Sequence, residues 1–108
     1  MKRYLVAAAG FVALSGPASA LGPEAQRGYV FVNTNCAGCH AIGHVGDSPL
    51  PIAPPFRTLH EKYRVDDLRE SLAEGIYTGH PTMPEFELDV GQIDDVISYL
   101  KSLEKSEN

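Results

Sequence analysis

Cys36-Ala37-Gly38-Cys39-His40 limits what this chain can become more than any other stretch. Thiols at i and i+3 emerge on the same side of one helical turn, so both can bond a single flat cofactor while the adjoining imidazole faces its centre. C-x-x-C-H is the spacing at which c-type haem is attached: two thioether bonds fix the porphyrin and the histidine ligates the iron on the proximal side. Cys36, Cys39 and His40 are therefore expected to hold one covalent haem c.

Other uses of the same residues fit less well. A thioredoxin-like pair needs a strand, helix, strand setting that puts a low-pKa thiol at a helix start, and no such pattern surrounds the motif. Zinc needs four closed ligands; His44, His60 and His80 offer partners, but there is no second Cys-x-x-Cys. A Cys36–Cys39 disulfide closes too short a loop to add much stability.

The N-terminus bears on the compartment. Lys2 and Arg3 precede an apolar run from Leu5 to Leu14, and Ala18-Ser19-Ala20 is a small-residue cleavage sequence. Residues 1–20 are expected to be a secretory signal peptide removed after Ala20, its apolar run being too short to span a bilayer, and residues 21–108 to form one domain. Export to the periplasm agrees with the motif, because bacterial haem attachment to thiols takes place outside the cytoplasm.

Removal of Lys2 and Arg3 leaves seven basic side chains against fourteen acidic ones, a formal charge of −7. Such a chain has no electrostatic footprint for nucleic acid or an anionic membrane surface. The same balance suits either a partner with a basic face or simple solubility. A domain this small often needs a staple, and a covalent porphyrin is one, so the apoprotein is expected to be largely unfolded.

Pro23 to Asn35 reads as a first helix, with proline where a helix start tolerates it, Glu24 in the first turn, and Phe31 and Val32 on the apolar face. Gly28 shares the face of Val32 and Cys36 and would let another helix come close. From Gly43 to Pro55 glycines and prolines make a loop. Within it Pro54 leaves a carbonyl with no helical donor, of the kind to which a metal-bound imidazole donates its second N–H. A brief pattern around Leu59, Lys62 and Tyr63 suggests a short helix, with His60 on the surface. Val65 to Glu74 is expected as a helix stopped by Gly75, with Leu68 and Leu72 on one side.

Thr78-Gly79-His80-Pro81-Thr82-Met83-Pro84 is a loop interrupted by two prolines. Met83 is the one methionine remaining after export. A lone methionine is commonly a core filler, but opposite a named proximal histidine its thioether is the preferred sixth iron ligand, with His80 the competitor three residues away. Asp89 with Gln92 begins the last helix in a capping-box pattern; Val90, Ile93, Val96, Ile97, Leu100 and Leu103 recur along it at helical spacing, and Tyr99 lies beside Val96.

Haem motif, proline loop, methionine loop and terminal helix stand in the order of the class I cytochromes c, and from Gly28 to Leu103 the chain resembles their small monohaem bacterial members. The resemblance implies an all-α cytochrome c fold of three to four helices and loops around one haem. Its first and last helices would cross at Gly28 and Val32 against Val96 and Tyr99, with Pro54 on the proximal side and Met83 on the distal side. It implies a monomeric periplasmic carrier of single electrons rather than an enzyme, without stable membrane insertion. Its donor would be a dehydrogenase or quinol-oxidising complex and its acceptor an oxidase. A dedicated electron-accepting haem subunit of a periplasmic dehydrogenase complex and, further off, a haem ligand sensor are the alternatives. Two features depart from the pattern: Ala53 stands where many members have glycine, and no tryptophan is present to meet a haem propionate, leaving Tyr63, Tyr77 or Arg57 for that place.

Overall fold

Two helices from opposite ends of the domain form the frame, packed where one of them has no side chain. The computed structural model describes residues 10, 21–75 and 83–104. The leader with its cleavage point, Tyr77, His80 and the rest of the 76–82 stretch lie outside the described residues.

The first helix, α1, spans Pro23–Asn35, as its proline start and apolar spacing predict. Gly22 is extended before it, and Gln26 N–H donates to the Gly22 carbonyl at 2.9 Å to close the first turn. Ala25, Gly28 and Val32 are its buried residues, a spacing of three then four that keeps them on one face. Val32 is 1% exposed, while Phe31 is only partly covered.

The last helix, α3, spans Val90–Ser102. Its start has both halves of the capping box: Gln92 N–H donates to Asp89 Oδ1 at 2.8 Å, and Asp89 N–H donates to Gln92 Oε1 at 3.1 Å. Ile93, Val96, Ile97, Tyr99 and Leu100 are buried along it, as is Leu103 just beyond. Val90 departs from the expected stripe and is 74% exposed. It occupies the first helical position, one turn before the buried residues begin.

The two helices pass in opposite senses, so that Ser98 donates to the Glu24 carboxylate while Arg27 pairs with Asp95 at 3.1 Å. Gly28 makes the approach possible. A Cβ there would stand 2.6 Å from the Asp95 carbonyl carbon and 2.9 Å from Tyr99 Cβ, inside contact distance of groups that cannot move aside. Beside this crossing the Tyr29 and Tyr99 rings meet edge to face at 5.5 Å.

The middle of the chain completes the core with short elements. Phe56–Glu61 is a 3-10 turn with Leu59 buried, and His60 is exposed as expected. The stretch from Val65 to Glu74 is two pieces rather than one helix: a 3-10 turn, Val65–Asp67, then helix α2, Leu68–Glu74. Asp67 and Leu68 have ψ values of −13° and −12°, flatter than an α-helix, which suits the tighter turn. Asp66 on that turn gathers Lys101 at 2.8 Å and Arg69 at 3.7 Å. Gly75 ends α2 with φ +104°, a conformation that costs other residues dearly, and Leu88 N–H satisfies the Leu72 carbonyl at 2.8 Å.

The described residues are thus helices, turns and loops with no strand, in agreement with the expected all-α class. Among the described residues, no helix is long and apolar enough to cross a membrane.

Candidate haem site

At the C-terminus of α1 the backbone turns tightly. Cys36 and Ala37 both donate N–H groups to the Val32 carbonyl, at 2.8 and 3.0 Å, and His40 N–H donates to the Cys36 carbonyl at 3.0 Å. Cys36, Cys39 and His40 are brought in this way to the wall of one cavity of about 740 Å³. The two cysteines are not joined to each other by a disulfide, and both are partly buried. Burial, with Cys39 beside it, pushes the Cys36 thiol up to about 11. It is therefore protonated at neutral pH, the reverse of what a thioredoxin-type nucleophile requires. His44 and His60 are exposed, and no group of three or more His, Cys, Asp or Glu gathers among the described residues, so a closed zinc site is not formed there.

His40 is held from two directions. Its Nδ1 lies 2.8 Å from the Pro54 carbonyl oxygen, and its ring packs on Phe56 with centroids 4.7 Å apart. A carbonyl can only accept, so Nδ1 carries the proton. In the neutral ring Nε2 then keeps its lone pair, the form a metal takes.

The loop that delivers Pro54 is fixed to the motif itself. Leu50 N–H donates to the Cys39 carbonyl at 3.0 Å, Phe56 N–H to Ala41 at 2.9 Å, and Ala41 N–H to Ser48 Oγ at 3.0 Å. Ala53, in the place where many class I members have glycine, is buried. Tyr99 adds a longer tie, its hydroxyl donating to the Ile42 carbonyl at 2.6 Å.

Met83, Pro84 and Phe86, from the segment leading into α3, line the same cavity. Met83 is partly buried and lines the same space as His40; His80 lies outside the described residues. Val32, Leu59, Leu72, Val96 and Leu100 supply apolar wall. The space suits a large flat apolar group with two thiols and one ligating nitrogen at its edge.

Sequence reasoning missed several parts of this wall. Phe56 against the imidazole was signalled only by its position after two prolines. The bonds from Ser48 and Tyr99 had no local signal, because each donor meets its acceptor through the folded loop. Arg57, a candidate for meeting a propionate, instead donates to the Gly46 carbonyl at 2.8 Å and does not line the cavity.

Comparison with known proteins agrees with this geometry. The family model for cytochrome c matches residues 25–104. The chain belongs to the cytochrome c family. It is also 30% identical over 89 residues to cytochrome c-552 of Bradyrhizobium diazoefficiens, an alignment covering 82% of this chain and 84% of that one. No solved structure matches at a comparable level. This cytochrome c is accordingly an electron-carrying haem protein, and its haem c is attached through Cys36 and Cys39.

Proposed function

We propose that this cytochrome is a free periplasmic carrier of single electrons, with His40 and Met83 as the axial ligands of its iron. The observation that carries the reading is the His40 Nδ1 to Pro54 carbonyl bond at 2.8 Å in a cavity that Met83 also lines. Haem seated there supplies a one-electron iron couple.

The protein's own groups do the rest. The Pro54 carbonyl keeps the proton on Nδ1, fixing the ring and making Nε2 a stronger donor. The Met83 thioether is soft, which favours the ferrous state and raises the reduction potential. Apolar side chains of α1, α2 and α3 line the site where the iron would be held, and neither ligand would have to leave for an electron to pass. No general acid or base is needed, which distinguishes a carrier from an enzyme.

Export through a leader over 1–20, cut after Ala20, would place the protein in the periplasm, where a dehydrogenase or quinol-oxidising complex as donor and a terminal oxidase as acceptor are its partner classes. The leader's basic start, short apolar run and small-residue end support this. The ferric absorption spectrum tests the ligation. A sulfur-to-iron charge-transfer band should be present in the wild type and in His80→Ala and absent in Met83→Ala; loss in His80→Ala alone overturns the assignment.

A further inference from the structure

A haem is not apolar all round, since one edge carries two propionate carboxylates, and whatever part of a carboxylate is drawn out of water into a pocket needs a charged or hydrogen-bonding partner. Most of the cavity wall offers nothing suitable. Apart from the motif, the charged or polar side chains lining it are Asn35, Lys62, Tyr63, Asp67 and Ser71. Asn35 already donates to the Phe31 carbonyl at 2.9 Å.

Lys62 differs from the other basic residues. Arg27, Arg64, Arg69 and Lys101 each pair with an aspartate, whereas Lys62 forms no ion pair among the described residues and lies on the cavity wall. Arg57 is occupied by Gly46 and lies off the cavity. Tyr63 follows Lys62 directly. The residue is 41% exposed, and its partial burial pushes the phenol above its ordinary value, so the hydroxyl is a proton donor at neutral pH.

Repulsion points the same way. Asp67 is the one carboxylate lining the cavity among the described residues, and Glu85 and Glu87 are exposed on either side of the lining residue Phe86. A carboxylate turned towards either place would meet like charge.

We infer that Lys62 and Tyr63 seat the carboxylate edge of the haem, the Lys62 ammonium as counter-ion and the Tyr63 hydroxyl as hydrogen-bond donor to a propionate. This rests on the haem reading but not on which residue is the sixth ligand. It assigns to a lysine and tyrosine pair the place left open by the missing tryptophan.

The holoprotein tests it through Lys62→Gln, Lys62→Arg, Tyr63→Phe and Arg57→Gln, read by redox titration and by the propionate bending band in resonance Raman spectra. Lys62→Gln should lower the reduction potential, because a positive charge that disfavours ferric haem is gone, and should shift the propionate band. Lys62→Arg should restore the potential. Tyr63→Phe should shift the band, and Arg57→Gln should leave both readings at wild type. Wild-type potential and band in both Lys62→Gln and Tyr63→Phe, or a shift found only in Arg57→Gln, overturns the assignment. A wild type without the sulfur-to-iron band would instead overturn ligation by Met83, with the propionate comparison still readable.

Discussion

His40 Nδ1 and the Pro54 carbonyl oxygen are 2.8 Å apart although fourteen residues separate them in the chain. That one bond sets the tautomer, the ring orientation and the basicity of the nitrogen left for iron. In reduced, diamagnetic holoprotein the His40 Nδ1 proton should therefore appear as a distinct, slowly exchanging NMR resonance. Rapid exchange with solvent would show that the ring is not held this way.

Met83 should set the potential. Met83→Ala is expected to abolish the sulfur-to-iron band and to lower the midpoint potential, since a thioether favours ferrous iron more than water or an added nitrogen ligand does. Potentiometric titration of the two proteins checks the direction.

Gly28→Ala should weaken the helix crossing. The added methyl meets the Asp95 backbone and Tyr99 Cβ, so the helices must separate, at a cost of about 1–3 kcal/mol for overpacking. Urea unfolding of the holoprotein should show a lower midpoint with little change in slope.

Asp66 gives the stability a defined acid limb. Its hydrogen bond to Lys101 holds its carboxyl below the ordinary value of 3.8, helped by Arg69 and Arg64 and opposed by partial burial. A carboxyl depressed in the folded state stabilises fully above its unfolded pKa and loses that contribution as pH falls through the folded one. Asp66→Asn should therefore be somewhat less stable at pH 7 and should lose less stability on acidification below about pH 4. The gain is small because the pair faces solvent and salt screens it. Thermal melts at several pH values check it.

Without haem the protein should be largely unfolded. A domain this small has little core of its own, and the porphyrin adds a large apolar plate to that core and ties it to the chain. A native-like far-ultraviolet circular dichroism spectrum from the apoprotein would contradict this.

The parts of this fold that the chain announces in advance are local ones. Proline at the start of α1, the Asp89 and Gln92 cap of α3 and the cysteine spacing act within one or two helical turns, so neighbouring residues reveal them. The break between Val65–Asp67 and α2 is less visible, because both pieces share one apolar spacing and differ only in how tightly the backbone winds. Val90 fits the apolar stripe by position, yet it lies a turn before the packed face begins. Phe56 against His40, Ser48 on Ala41 and Tyr99 on Ile42 depend on a loop closing over the motif, and periodicity carries no information about that closure.

Because Gly28 can be covered only by residues around Asp95 and Tyr99, the polypeptide cannot finish its framework until almost its last turn is available. A chain that emerges from the N-terminus first therefore presents Cys36 and Cys39 before the helix that closes the architecture can dock. With the apoprotein largely unfolded, both sulfurs should stay accessible until the porphyrin is joined to them, and docking of the final segment should follow that step.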